Sequence, residues 1–324
     1  MTEIEFFKIW DSTFKSSKSR SRKCLVNDCN KLAIKSHALQ KNGILKQMSE
    51  KNHLYQFSNV SPFQKANKGN YELARIGINE VYTFPGFCKV HDSKIFRPIE
   101  NIPFDIKSDK CIILFSYRAL CQEIRRKEIA LDVAKKMIET NFNITLLILM
   151  YEFKKGLENG LKNLYFFKKE LEKNFENPNN NFIHKICEIP KTDICISAPL
   201  NIADESNSLT KTHDTNGNII NNPFVTSFLN VFPFGDKSYV MITISKDYPC
   251  YWTENLFIKF QSIKHPNHLK LISDLITTRF EFWCISPKLR DCLSKDKVDE
   301  MMKIWGEEVL NFEANLETGF NVFD

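Results

Sequence analysis

Cys24-Leu25-Val26-Asn27-Asp28-Cys29 and, far along the chain, Phe87-Cys88-Lys89-Val90-His91-Asp92 are the two stretches that decide how this sequence is read. Each places two metal-seeking donors around a turn: Asn27-Asp28 lies inside the first, and Pro85-Gly86 sits just ahead of the second. Two such short-spaced pairs suit a tetrahedral metal site, because each pair comes from one tight turn and the pairs meet across the ion. Cys24, Cys29, Cys88 and His91 are therefore the candidate ligands, and a Cys3His set suits a structural Zn2+. The competing reading is a set of unrelated buried cysteines, in a chain that has ten. Against it, both pairs lie in polar, basic sequence, whereas most of the remaining cysteines sit in apolar patterns and read as core fillers.

The sequence around the pairs is irregular, with punctuation at Asn42-Gly43, Ser61-Pro62, Lys68-Gly69-Asn70 and Phe84-Pro85-Gly86. A small region of this kind lacks the apolar material for its own core and calls for a metal staple. It is also where the charge lies. The chain carries 45 Lys+Arg against 39 Asp+Glu, a net +6, and residues 1–100 alone hold 17 against 9. The densest run is Lys15 to Lys23. It reads either as a mobile solvated arm or as an arm in which Lys18, Arg20, Arg22 and Lys23 contact a phosphate backbone in a salt-dependent way.

Beyond residue 105 the texture changes. Ile113, Tyr117, Leu120, Ile124, Ile129, Val133 and Met137 predict one long amphipathic helix from about Lys110. A second runs from about Ile144 to Asn174, ended by Asn177-Pro178. Strands are expected at 193–199, 225–232 and 238–245, and a turn or mobile loop over 211–222. Helices return at about 254–263, 266–284 and 295–310, with Pro266 and Pro287 at first-turn positions. The expected fold class is α+β: a basic, zinc-stabilised module over 1–105, then a mixed α/β domain over 106–324 with two long helices, a small sheet and C-terminal helices. No repeat of solenoid or propeller length is present.

Several function classes fall away. No GxGxxG and no GxxxxGK[ST] occurs, so nucleotide cradles of the Rossmann and P-loop kinds lose their support. The N-terminus starts acidic and has no uninterrupted apolar core of a signal peptide, and the longest apolar run, 144–151, is far short of the ~20 residues of a membrane span. A cytoplasmic protein with reduced thiols and no membrane partner is the expectation. His184, His213, His265 and His268 carry no supporting spacing, and no serine shows a nucleophile elbow.

Between the two cysteine pairs lies Ile34-Lys35-Ser36-His37-Ala38-Leu39-Gln40, a short alternating segment that suits a strand. The combination resembles the HNH (ββα-metal, treble-clef) endonucleases over about residues 20–100. That family sets a first zinc knuckle, a strand with an Asp-His or His-His dipeptide, a loop, a second zinc knuckle and a polar metal ligand in that order. Cys24 and Cys29 match the first knuckle, Ser36-His37 the dipeptide, Cys88 and His91 the second knuckle, and Asp92 the last position.

The resemblance implies metal-assisted phosphodiester hydrolysis, with His37 as general base and Asp92 holding a catalytic Mg2+ or Mn2+. It implies nucleic acid as the partner, DNA ahead of RNA, and a setting in bacterial phage defence or mobile elements. The family's middle asparagine has five candidates: Asn52, Asn59, Asn67, Asn70 and Asn79. Ser36 stands where the family has Asp or His, so a non-catalytic zinc module that binds nucleic acid or a protein partner stays open beside the nuclease. His37 also stays open as a further zinc ligand or a backbone-bonded histidine. So does an assembly role, or self-association, for the two long helices.

Overall fold

The apolar series from Ile113 to Met137 turns out to be the axis of the whole molecule. The computed structural model describes residues 3–59, 71–101, 103–140, 143–176, 181–201, 211–213, 219–221, 225–264, 266–308 and 317–324. In chain order its helices are α1 (Glu3–Ser19), α2 (Lys46–Met48, continuing a π-helical turn over Lys41–Leu45), α3 (Lys89–Glu100), α4 (Asp109–Ile138) and α5 (Ile144–Glu176). They are followed by α6 (Tyr251–Ser262), α7 (Asn267–Thr278), α8 (Pro287–Cys292) and α9 (Lys295–Glu308). The strands are β1 (Lys35–His37), β2 (His53–Asn59), β3 (Tyr71–Gly77), β4 (Thr83–Pro85), β5 (Phe182–Pro190) and β6 (Ile194–Leu200). The rest are β7 (Lys211–His213), β8 (Ile219–Asn221), β9 (Ser227–Phe234), β10 (Lys237–Ser245) and β11 (Trp283–Ile285). The chain is a mixed α/β protein, as the sequence predicts.

Helix α4 starts where Ser108 accepts a hydrogen bond from the Cys111 N–H at 3.3 Å, a side-chain N-cap. Every residue from Cys111 to Gln122 is buried, so the first three turns are enclosed on all sides. From Ile124 onward burial narrows to Ile124, Arg125, Ile129, Val133, Ala134 and Met137. Helix α5 lies along α4 through Leu164, Phe167 and Leu171.

The main sheet has seven strands in the order β3-β2-β11-β6-β9-β10-β5, and every pairing is antiparallel. Alternation along the strands sorts the two faces. Phe228 and Phe232 of β9 and Cys195 of β6 join the core around α4. Leu229 and Val231, with Ile194, Ile196 and Ala198, face a second core beneath α6, α7 and α9. The result is a layer of helices on each face of one sheet.

Several expectations are corrected. The sheet is not small, and the first third is not irregular throughout: β2 and β3 form a hairpin that joins β11 (Cys284↔Gln56, Ile285↔Tyr55). Phe57 stacks on Trp283 at 5.4 Å and touches Trp305 at 4.7 Å, so aromatic burial carries this hairpin into the core of the second domain. The expected boundary at 105/106 is thus crossed by both sheet and core.

The helix expected over 266–284 stops at Thr278, and residues 283–285 are a strand. Phe280 to Ile285 is rich in aromatic residues that suit a buried strand, and a short apolar run of this kind does not reveal its period. Within the expected loop over 211–222, β7 and β8 pair as an antiparallel ladder; residues 214–218 and 222, like the Asn177-Pro178 stop and His265, lie outside the described residues. Lastly, the basic run is not a free arm: Lys15 and Lys18 lie on α1, whose end is tied to α4.

Candidate metal centre

The first knuckle is a tight loop closed by its own backbone. Lys23 bridges Leu32, the Cys24 N–H donates to the Lys31 carbonyl at 2.9 Å, and the Cys29 N–H donates to Val26 at 3.2 Å. Asp28 holds φ at 60°, a left-handed conformation that aspartate tolerates better than most residues. The second knuckle follows β4. Gly86 is required there by close approach, since a Cβ would lie 2.4 Å from the Phe84 ring. Cys88 is the N-cap of α3, and His91 lies on its first turn. The Leu25 N–H donates to the Gly86 carbonyl at 2.9 Å and the Ile34 N–H to Phe87 at 2.7 Å, so the two knuckles are stitched side by side.

That stitching brings the four candidate ligands together. Sγ of Cys24, Cys29 and Cys88 and Nδ1 of His91 all lie within 4.8 Å of one another. Cys29 Sγ to Cys88 Sγ is 3.9 Å, Cys24 Sγ to His91 Nδ1 is 3.4 Å, and Cys88 Sγ to His91 Nδ1 is 3.5 Å. A tetrahedral zinc, with about 2.3 Å to sulfur and about 2.0 Å to nitrogen, would set sulfurs about 3.8 Å apart and sulfur and nitrogen about 3.5 Å apart. The group could hold a metal ion, and its spacing and donor chemistry are consistent with zinc. Among the described residues it is the one converging group of three or more His, Cys, Asp or Glu donors.

The thiols are not equivalent. Burial pushes Cys24 above the ordinary thiol range, whereas the His91 backbone N–H, at the start of α3, draws Cys88 below it. Both are buried against the α4 core rather than standing in a separate polar module.

One side chain that the sequence reading did not single out locks the centre to the rest of the chain. Arg125, on α4 with its side chain 6% exposed, donates from Nε to the Pro85 carbonyl and from Nη2 to the Lys23 carbonyl, each at 2.7 Å, while Nη1 reaches Glu128. Those carbonyls belong to the residues just ahead of each knuckle. Lys168 of α5 adds a longer contact, 3.5 Å, to Asn27 inside the first one. The only sequence signal was an arginine in a helix otherwise burying apolar groups.

The other predicted site residues fall elsewhere. β1 and β4 form a two-stranded antiparallel sheet (Ser36↔Phe84, His37↔Thr83) that leads into α3, a ββα order around the metal group. His37 Nε2 lies 3.0 Å from the Ile78 carbonyl, so Nε2 carries the proton and Nδ1 the lone pair. Burial lowers the pKa of this half-buried ring below the usual histidine value. His37 is therefore the backbone-bonded histidine and lies outside the metal-ligand group.

Ser36 turns inward, 1% exposed, and accepts from the Phe87 N–H at 3.3 Å. Asp92 sits in the first turn of α3 with Oδ1 buried and lacking a hydrogen-bond partner, and it joins no group of three donors. Among the described residues, neither Asp92 nor His37 belongs to a converging group of three or more metal-binding donors.

Of the asparagines, Asn52 accepts from Lys46 and Asn79 from Lys41. Asn67 and Asn70, and the Asn59 side chain, lie outside the described residues.

The basic candidates divide. Arg22 is 2.7 Å from Asp132, with its side chain 8% exposed, and Arg20 pairs with the same carboxylate. Lys23 bonds Asn30 at 2.8 Å, and Lys18 is exposed on α1. Hydrogen bonds from Arg22, Ser17 and Arg20 outweigh the effect of burial and hold Asp132 below the usual carboxylate range. Two of the four cations are thus committed to fastening α1 onto α4.

No helix among the described residues is long and apolar enough to cross a membrane. No protein-family model, curated protein or solved structure matches the chain.

Proposed function

We propose that the chain is a zinc-stapled, HNH-like endonuclease that hydrolyses phosphodiester bonds of nucleic acid, DNA in preference to RNA, with His37 as general base. The observation that carries this reading is the ββα order: the strand bearing His37 pairs with β4, which runs directly into the second knuckle and α3. A zinc ion held by Cys24, Cys29, Cys88 and His91 would serve a structural role, fixing the turn that β4 enters, while Arg125 holds that sheet against α4.

In the proposed step, His37 accepts a proton from water at Nδ1 while Nε2–H stays on the Ile78 carbonyl. The water oxygen bonds to phosphorus, the P–O bond to the leaving sugar oxygen breaks, and that oxygen takes a proton from solvent. The lowered pKa keeps the ring neutral, and thus basic, at physiological pH. His37 is the base in this step, since Asp92 belongs to no group of three donors among the described residues and Ser36 is committed to the backbone.

Plasmid nicking tests the proposal. His37→Ala is expected to lower the rate by about 10²- to 10⁴-fold, the usual contribution of a general base, with zinc content unchanged. Nicking that survives the substitution refutes the assignment of His37. A second reading, a zinc-stapled module that binds without cleaving, is favoured by the inward Ser36; it is the reading left standing if native protein binds DNA and never cuts it in Mg2+ or Mn2+.

A further inference from the structure

Arg118 is a charge where α4 is otherwise enclosed in apolar side chains, and its side chain is 2% exposed. Its guanidinium lies over the Phe96 ring at 4.0 Å, and Nη1 donates to Glu100 Oε1 at 2.5 Å. Its Nε is buried without a hydrogen-bond partner. A buried ion pair adds little net stability compared with apolar packing, and an unmet buried donor keeps the full cost of its lost hydration. Folding alone therefore does not explain this side chain.

The same spot holds a second unmet group. Gln40 is fully buried; Nε2 donates to the Glu100 carbonyl at 3.0 Å, while Oε1 has no partner. Gln40 follows His37 by three residues, and the charges acting on the His37 ring are Lys41, Arg118 and Glu100. Gln40, just beyond β1, and Arg118, in the middle of α4, thus meet at Glu100 on the end of α3, and the charges of this cluster reach the His37 ring. With His37 neutral, Arg118 and Lys41 outweigh Glu100, so the spot carries net positive charge. Glu100, with its side chain 35% exposed, is where it meets solvent.

We propose that His37, Gln40, Glu100 and Arg118 form a phosphoryl-oxyanion subsite, in which Arg118 receives the phosphate oxygens and Glu100 holds the guanidinium in place until they arrive. The inference rests on the reading of His37 as a phosphodiesterase base and adds the group that recognises the phosphate. The unmet Nε–H of Arg118 offers one donor to a phosphoryl oxygen, and Nη1 offers a second once Glu100 releases it. Gln40 Oε1 is the acceptor left to orient a water beside His37 Nδ1.

The test titrates inorganic phosphate into the full-length, zinc-loaded protein and follows the His37 ring resonance by NMR. A saturable shift is expected. Arg118→Lys, which keeps the charge and removes the fork, should weaken the dissociation constant at least tenfold. Glu100→Gln, which removes the competing carboxylate, should tighten it at least threefold; a purely structural ion pair gives no tightening. Glu100→Gln also carries the test alone if the Arg118 variant does not fold. Displacement of phosphate by a dinucleotide identifies an internal phosphodiester as the ligand, and displacement by a 5′-mononucleotide alone identifies a terminal phosphate.

The absence of a saturable shift, or an unchanged constant in both variants, overturns the subsite. Failure of the two readings is distinguishable. Arg118-dependent phosphate binding without any cleavage sinks the general-base reading and keeps the subsite. Cleavage that needs His37, with phosphate indifferent to Arg118, does the reverse.

Discussion

Replacing Arg125 with methionine keeps most of the side-chain volume and removes the contacts by which one group joins both knuckles to α4. Two part-buried carbonyls, of Lys23 and Pro85, lose charged donors, and Glu128 loses its partner on Nη1. Hydrogen bonds to charged groups contribute about 1.5–3 kcal/mol each. The Glu128 carboxylate is partly solvated, so its pair adds little. The expected loss is about 3–5 kcal/mol, large against the 5–15 kcal/mol of a typical domain. Because metal binding and folding of the ligand set are linked, the same change should lower zinc affinity at least tenfold.

Urea unfolding of the zinc-loaded protein and competition with a chromophoric chelator measure the two effects. Arg125→Lys, which supplies one donor where there were two, should fall about midway. A methionine variant within 1 kcal/mol of the parent, with unchanged zinc affinity, would refute the argument that α4 holds the knuckles in register.

Three further outcomes follow from the same geometry. Gly86→Ala drives a Cβ against the buried Phe84 ring and should cost about 1–3 kcal/mol in the same unfolding assay, the range for overpacking. His37 should titrate below the ordinary 6.5 when followed by NMR, because burial disfavours its cation. Since the folded pKa is depressed, the unfolded chain binds the proton first as pH falls below 6.5, so this group removes stability on acidification, and His37→Gln should flatten that slope. Asp132→Asn should release Arg20 and Arg22, cost about 1 kcal/mol or more of α1 docking, and steepen the salt dependence of DNA affinity.

The legible and illegible parts of this chain differ for physical reasons. Long 3.6-residue periodicity fixed α4 and α5 almost to the residue, because burial over about eight to nine turns leaves a pattern that local exceptions cannot blur. The ligand set was legible because thiolate and imidazole donors in short-spaced pairs have few other uses in polar sequence. The β2–β3 hairpin was not, since its partner β11 lies more than 200 residues away and only the Phe57–Trp283 contact explains the pairing. Arg118, Gln40 and Arg125 were missed for a related reason. A charged residue inside an apolar helix shows up in sequence only as a break in a stripe, and its partners, Glu100, Pro85 and Lys23, come from elsewhere in the chain. The basic arm misled because Asp132, which takes up Arg20 and Arg22, is over 100 residues away from them.

Every part of the account passes through the group formed by Cys24, Cys29, Cys88 and His91. Its most direct test is the metal content of the purified full-length protein by elemental analysis, alongside Cys88→Ser. One equivalent of zinc per chain in the parent and none held by the variant is the expected result. A parent protein that folds fully with no zinc, and whose melting temperature is indifferent to added zinc and to chelator, would contradict the account at its root.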